Sequence, residues 1–256
     1  MTTKLNLKIV GKGRPLILLH GFGWHSGIWS PLVPQLTENF QLFLIDLPGF
    51  GKSPLLTADY KIDEIATLLL DITPPTACWL GWSLGGMIAW HIAIHHPERV
   101  SSLVTLASSP KFIRTENWPG VSHETLKNFS KLLSQNYQKT LHEFLELQLR
   151  GSPKNTEMMT KLQKKISSTS LSSIPALLGG LKLLSELDLR SQLTKISCPS
   201  LHLFGRNDTL VPDKIAHMIQ PQLQFGKCEI IQRSGHIPFL SQTEIFLNYL
   251  REFCQL

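Results

Sequence analysis

The sequence lacks long hydrophobic runs and is poor in cysteine. No apolar stretch in its 256 residues approaches the ~20 residues that a membrane-spanning helix requires. The four cysteines, Cys78, Cys198, Cys228 and Cys254, show no Cys-x-x-Cys spacing and no clustering with histidine. Reduced thiols are therefore expected rather than disulfides or a metal site. The first residues contain no hydrophobic signal region, which predicts a cytoplasmic protein.

Internal repeats, low-complexity linkers and nucleic-acid-binding motifs are also missing. The chain has neither the fingerprint nor the ligand clusters of a metal or redox cofactor, so we expect no cofactor and no nucleic-acid partner. A hydrophobic content of 42% and a mean hydropathy of +0.01 are ordinary for a globular protein. The length allows one domain with an insertion, and a monomer is the expected form.

Strand-like and helical patterns alternate along most of the chain. Residues 5–10 alternate apolar and polar, which predicts a strand with one open face. A continuous apolar run, typical of a strand buried on both faces, occupies residues 15–19. Further strands are predicted at residues 40–46, 78–80, 100–106, 200–204 and 228–231. Helical spacing follows most of them, including one helix through residues 29–36 and one through 62–72. This alternation predicts an α/β fold with a mostly parallel central sheet flanked by helices.

One segment breaks the alternation. Residues 111–185 contain no strand-like run, and amphipathic helical patterns recur at 126–133, 137–148, 158–166 and 176–184. We interpret this segment as an all-helical cap inserted into a core made of residues 1–110 and 186–256. Such an insertion covers a site at the carboxyl ends of the strands.

A nucleophile motif lies where the run at 78–80 ends. Gly81-Trp82-Ser83-Leu84-Gly85 separates that strand from a helical pattern. A Gly-x-Ser-x-Gly turn between strand and helix holds the serine at a strained apex, and its glycines let the two elements pass closely. We therefore expect Ser83 to be a nucleophile.

A serine hydroxyl needs a base and a group that orients the base. Asp208 and His236 follow Ser83 in the order expected for this fold, and each comes just after a predicted strand. We predict that His236 is the general base and then acid, and that Asp208 holds its imidazolium. The backbone N–H groups of Leu84 and Phe22 would form the oxyanion hole.

Other candidates for these roles fit less well. Asp46 ends a strand but precedes Ser83 and begins an Asp-x-x-Gly-x-Gly-x-Ser pattern, which indicates a loop-shaping residue. Asp213 follows Pro212, where an acid is expected near a helix start from the helix dipole alone. His20 is expected to order the loop that carries Phe22, which is called the oxyanion loop below.

These motifs resemble the α/β-hydrolase superfamily over essentially the whole chain. Several further segments resemble the family of pimeloyl-[acyl-carrier protein] methyl ester esterases of biotin synthesis: Ala107-Ser108-Ser109-Pro110, Trp118-Pro119-Gly120, Phe144-Leu145-x-Leu147-Gln148 and Asp208-x-Leu210-Val211-Pro212. The resemblance implies hydrolysis of the methyl ester that masks the pimeloyl carboxylate. It also implies substrate contacts at Phe22, Ser83, Leu84, Phe144, Leu145, Glu146, Leu147, Gln148 and His236. That family more often has tryptophan where this chain has Phe22.

The net charge of +6 is concentrated in the cap segment. Residues 111–185 hold eleven Lys and Arg against five Asp and Glu, so the rest of the chain is neutral on balance. The resemblance implies an acyl-carrier protein bearing a pimeloyl methyl ester as partner, and such carriers are strongly acidic. A basic rim would steer one over the pocket. We predict this role for Lys139, Arg150, Lys154 and Lys161.

Two other functions remain open from the sequence. The same triad would serve a broad short-chain carboxylesterase that needs no protein partner, or the fold could be a binding protein that no longer turns over. Dehalogenases and epoxide hydrolases of this kind need an aspartate at the position of Ser83, which excludes them.

Overall fold

A computed structural model describes residues 4–56, 60–152 and 173–255. Seven of its strands form one sheet: β1 (Leu7–Val10), β2 (Arg14–Leu19), β3 (Phe40–Ile45), β4 (Ala77–Trp82), β5 (Val100–Leu106), β6 (Ser200–Gly205) and β7 (Gly226–Ile231). Their order across the sheet is β1-β3-β2-β4-β5-β6-β7. Only β1 runs antiparallel to its neighbour, and the other pairs are parallel. The expected mostly parallel α/β sheet is confirmed.

The central strands are apolar because helices cover both faces of the sheet. Every residue of β4 and of β6 is buried, whereas the edge strand β1 has exposed and half-buried positions. The flanking helices are α1 (Val33–Leu36), α2 (Ile62–Asp71), α3 (Leu84–His95), α7 (Lys214–Ile219), α8 (Pro238–Ser241) and α9 (Thr243–Cys254). The β4 strand and α3 therefore form the buried centre from which the Ser83 turn projects.

The single helix expected over residues 29–36 is wrong. The chain instead forms a 3₁₀ turn at Ser26–Trp29 and the short helix α1. Pro31 lies between them and has no backbone N–H with which to continue a helical hydrogen-bond ladder.

The segment 111–185, predicted to be a cap and called the cap below, contains α4 (His123–Gln135), α5 (Tyr137–Leu149) and α6 (Ile174–Glu186). Side chains of Ser122, Asn136 and Ser173 accept hydrogen bonds from the first turns of these helices, which fixes where each begins. The helix expected near 158–166 lies outside the described residues. The division into a core of residues 1–110 and 186–256 and a cap of 111–185 stays a prediction.

The first part of the cap segment differs from the all-helical expectation. Isolated bridges join Ile113 to Val121 and Thr115 to Trp118, so the chain turns back on itself before α4. Gly120 permits this turn, because its φ of +157° is unfavourable for residues with a Cβ. At the base of the cap, Lys111 Nζ lies 2.9 Å from Asp188 Oδ2. This pair joins the two segments that connect the cap to the sheet.

Candidate active site

Ser83 occupies a strained turn between β4 and α3. Its φ of 54° and ψ of −116° are sparsely populated by residues other than glycine. A Cβ on Gly81 would collide with the backbone of Gly85, so the strand and the helix pass too closely for any larger residue. The Ser108 hydroxyl donates to the Ser83 carbonyl at 2.8 Å and supports the turn. The turn thus presents the Ser83 hydroxyl at the carboxyl end of the sheet.

The structure brings Ser83, His236 and Asp208 into one hydrogen-bonded chain. His236 Nε2 lies 2.9 Å from Ser83 Oγ, and its Nδ1 lies 2.7 Å from Asp208 Oδ2. The other carboxylate oxygen of Asp208 accepts from the amides of Leu210 at 2.9 Å and Val211 at 3.0 Å. In this network the Nδ1–H of a neutral imidazole donates to Asp208, which leaves Nε2 free to accept the serine proton. All three side chains are buried.

The His236 loop is held from two sides. The Trp82 indole N–H donates to the His236 carbonyl at 2.7 Å. The Gly235 amide donates to the Ser152 hydroxyl at 3.1 Å, which links this loop to the chain just after α5. These bonds fix the imidazole from the backbone side, while Asp208 fixes it from the ring.

The loop after β2 carries the second predicted oxyanion donor. His20 Nδ1–H donates to the Gly21 carbonyl at 2.8 Å, and its Nε2 accepts from the Leu47 amide at 2.9 Å. Burial lowers the pKa of His20 to about 4, which keeps this imidazole neutral near pH 7. His20 therefore orders the loop, as its position predicted. Within the described residues, the amides of Phe22 and Leu84 have no backbone or side-chain acceptor.

Residues 14–243 match the family described as alpha/beta hydrolase fold. The chain belongs to the α/β-hydrolase family. The protein is 40% identical to the pimeloyl-[acyl-carrier protein] methyl ester esterase of Vibrio vulnificus strain YJ016, over 99% of both chains. It is 41% identical to the protein of that name from Photobacterium profundum, again over 99% of each. The chain is therefore a member of that esterase family as well.

A solved hydrolase structure shows the same fold at low sequence identity. The esterase from Exiguobacterium antarcticum superimposes with a TM-score of 0.89, covering 99% of this chain and 96% of its own, at 23% identity. This likeness extends to the whole fold of the present hydrolase, including the sheet that positions the Ser83 turn.

Asp46 shapes a loop of this hydrolase, as its motif predicted. Its carboxylate accepts from the amides of Ser26 at 2.7 Å and Lys52 at 2.9 Å, and from the Asn6 side chain at 2.8 Å. Although burial raises the pKa of Asp46, the hydrogen bonds from Lys52 and Ser26 lower it by more, and the carboxylate stays ionised. Asp46 is thus engaged with backbone amides and takes no part in the hydrogen-bonded chain that includes Ser83.

The cap contacts the oxyanion loop through Gln148. The Trp24 indole N–H donates to Gln148 Oε1 at 2.6 Å, and Gln148 Nε2 donates to the Phe22 carbonyl at 3.4 Å. Gln148 is 1% exposed. Both ends of its amide are therefore engaged within the protein, where the sequence had suggested only a substrate contact.

An aromatic cluster lies over the same loop. The Phe22 ring packs edge-on against Phe144 of α5 at 5.5 Å and Phe129 of α4 at 6.2 Å between centroids. Gly180 of α6 lies close to Phe22, because a Cβ there would come within 3.0 Å of the ring. Three cap helices thus meet above the predicted oxyanion donor.

The other predicted contact residues have varied surroundings. Leu145 is buried, and its side chain would lie 3.2 Å from a Cβ on Gly23. Glu146 is exposed, with a carboxylate oxygen 3.4 Å from His142 Nε2, and Leu147 is half-buried. Their roles as substrate contacts stay predictions.

The predicted basic rim is described only in part. Lys139 is exposed and lies 3.9 Å from the Glu143 carboxylate. Arg150 is exposed, and its backbone packs against Gly235, next to His236. Lys154 and Lys161 lie outside the described residues. Of the two that the structure describes, Arg150 is the one whose backbone lies beside the histidine loop.

Sequence reasoning missed the supporting residues Trp24, Trp82, Ser108 and Phe129. Trp82 stands inside the Gly-x-Ser-x-Gly motif, which was a usable signal for contact with the site. Trp24 and Phe129 had no such signal, because their partners are far away in sequence.

In the part of the chain that the structure describes, no three His, Cys, Asp or Glu side chains form a possible metal site, and no helix is long and apolar enough to span a membrane.

Proposed function

We propose that this protein is a serine carboxylesterase that hydrolyses the methyl ester of pimeloyl-acyl-carrier protein, releasing methanol and pimeloyl-carrier protein in biotin synthesis. The hydrogen-bonded chain from Ser83 through His236 to Asp208 carries the chemical part of this proposal. The substrate comes from the relatives of about 40% identity, whose printed name states it.

In the first half of the reaction, Ser83 Oγ attacks the ester carbonyl while His236 Nε2 takes its proton. The positive charge that forms on the imidazole is stabilised by Asp208, which is itself held by two backbone amides. The oxyanion is stabilised by the N–H groups of Phe22 and Leu84. Collapse of this intermediate expels methoxide, which takes the proton from His236 and leaves as methanol.

In the second half, water attacks the acyl-enzyme. His236 accepts a proton from the water, a second oxyanion forms in the same place, and Ser83 leaves with the proton returned by His236. The balance is one ester and one water consumed, and one carboxylic acid and one methanol released. The acid ionises at neutral pH, and no cofactor enters the reaction.

The cap would provide the acyl pocket and the approach of the carrier. Phe22, Phe129 and Phe144 form an apolar wall suited to the methylene chain of a pimeloyl group. Lys139, Arg150, Lys154 and Lys161 are proposed as the rim that meets the acidic carrier. Arg150 has the strongest support of these four, because its backbone packs against the loop of His236.

The test compares two substrates. We expect kcat/KM for pimeloyl-carrier methyl ester to exceed that for a nitrophenyl butyrate ester, and Ser83→Ala to abolish turnover of both. The wild-type gene, but not the Ser83→Ala gene, should restore growth without biotin to a strain blocked in pimelate release. Equal or better turnover of the small ester together with failed complementation would support a broad carboxylesterase instead.

A further inference from the structure

A groove of about 440 Å³ runs between α4 and α6 on the cap, and none of the roles given above uses it. Leu126, Leu178 and Leu181 contribute apolar surface to it. Leu126 is 8% exposed and Leu181 is 4% exposed, so this surface continues into the core of the cap. The groove therefore presents an apolar floor to whatever enters it.

Three lysines border this floor. Lys127 and Lys131 come from α4, and Lys182 comes from α6. All three are exposed, and none forms an ion pair with any residue that the structure describes. Among the described residues that line the groove there is no aspartate or glutamate. Its positive charge is thus left without compensation from the described parts of the protein.

Three cations elsewhere on the cap and at its base have acidic partners. Lys111 and Arg190 share Asp188, at 2.9 and 2.7 Å, and these hydrogen bonds hold the pKa of that carboxyl well below its usual range. Lys139 faces Glu143 across one helical turn. The groove lysines lack such partners, although Glu124 and Glu186 belong to the same two helices. An external anionic partner would supply the missing charge.

The dimensions of the groove favour a helix over a small anion. The 13 residues of α4 extend over about 20 Å at ~1.5 Å per residue. Lys127 and Lys131 are four residues apart and project from the same face, one turn after another. An amphipathic helix could place apolar side chains on the leucine floor and carboxylates against these lysines. A free phosphate or carboxylate would leave the floor unused.

We propose that this groove is a docking site for an acidic amphipathic helix of the acyl-carrier protein. The inference rests on the proposed function for the identity of the partner. Docking there supplements the rim around Arg150, because the groove is lined by α4 and α6 rather than by the end of α5. The lysines provide attraction and register, and the leucines provide burial.

Charge reversal of Lys127, Lys131 and Lys182 to glutamate tests the proposal. We expect the Kd of the unacylated carrier, measured by titration calorimetry, to rise about 10-fold or more, because three attractions become repulsions. The kcat/KM for the carrier-bound ester should fall by a similar factor, with kcat/KM for nitrophenyl butyrate unchanged. Raising the salt concentration should weaken carrier binding less steeply in the variant than in the wild-type protein.

A matched control changes the same total charge away from the cap. Lys8, Lys12 and Lys195 are exposed, so their replacement by glutamate also changes the net charge by six without touching the groove. Equal Kd values for the groove and control variants would overturn the proposal, as would equal losses of groove-variant activity on the carrier ester and the small ester. If wild-type protein binds the carrier through the groove yet fails to hydrolyse its ester, docking stands and the proposed function fails.

Discussion

Gln148 offers a sharp test of how the cap and the oxyanion loop cooperate. The perturbation is Gln148→Leu, which keeps a side chain of similar bulk and removes both of its hydrogen bonds. The Trp24 indole N–H and the Phe22 carbonyl then lose partners that they meet at 2.6 and 3.4 Å. Both groups belong to the loop that carries the Phe22 amide, so the loop loses its polar attachment to α5.

The structure sets the size of the effect. Each buried polar group left unpaired costs about 1–3 kcal/mol, so the loss of two partners should lower the free energy of unfolding by about 2–6 kcal/mol. Complete loss of one oxyanion donor costs about 2.7–4 kcal/mol in the activation free energy. Because Gln148 acts on the loop and not on the oxyanion, we expect a smaller loss, about 10- to 100-fold in kcat. KM should change little, because oxyanion bonds strengthen mainly in the transition state.

Steady-state kinetics on nitrophenyl butyrate and urea denaturation measure the two effects separately. Leu133→Ala is the matched control, because Leu133 is fully buried in the same cap and contributes no side-chain hydrogen bond to the loop. It should cost about 2–5 kcal/mol in stability while leaving kcat nearly unchanged. Trp24→Phe should reproduce part of the Gln148→Leu loss in kcat. An unchanged kcat in Gln148→Leu, or an equal fall in the control, would refute the positioning role.

Two further predictions concern buried polar groups. Burial lowers the pKa of His20 to about 4 and that of His202 to about 3, so both stay neutral in the folded protein while the unfolded chain protonates them near pH 6.5. The free energy of unfolding should therefore fall as pH drops from about 6.5 to 4. In urea titrations at several pH values, His202→Gln should make this fall less steep by about 1.4 kcal/mol per pH unit. An unchanged pH dependence in the variant would contradict the prediction. Trp82→Phe removes the donor to the His236 carbonyl, and we expect kcat to fall several-fold with KM retained, whereas a pure rise in KM would place Trp82 in substrate binding.

The arrangement of the site was largely accessible from the sequence because strand order determines it. Ser83, Asp208 and His236 each follow a parallel strand, and carboxyl ends of parallel strands share one edge of the sheet. Phe22 follows β2, which pairs directly with β4, so the same reasoning places its loop beside the Ser83 turn. Local pattern and topology are sufficient for these residues.

The contacts between cap and core could not be derived in the same way. Trp24 and Gln148 are 124 positions apart, and no periodicity relates them. Phe129 reads as an ordinary apolar position of an amphipathic helix, and only tertiary packing places its ring on Phe22. The break before α1 was local and could have been foreseen from Pro31, but the apolar spacing around it suggested a continuous helix.

The most direct test of the central claim is to trap the acyl-enzyme. Hydrolysis through Ser83 requires an intermediate in which the pimeloyl-carrier protein is joined to the enzyme by an ester at Ser83 Oγ. Acid quenching during the first turnover of pimeloyl-carrier methyl ester, followed by intact-mass spectrometry, should reveal this conjugate with one methanol released. Peptide mapping should locate it at Ser83, and Ser83→Ala should form none. Methanol release that continues undiminished in Ser83→Ala would contradict the account.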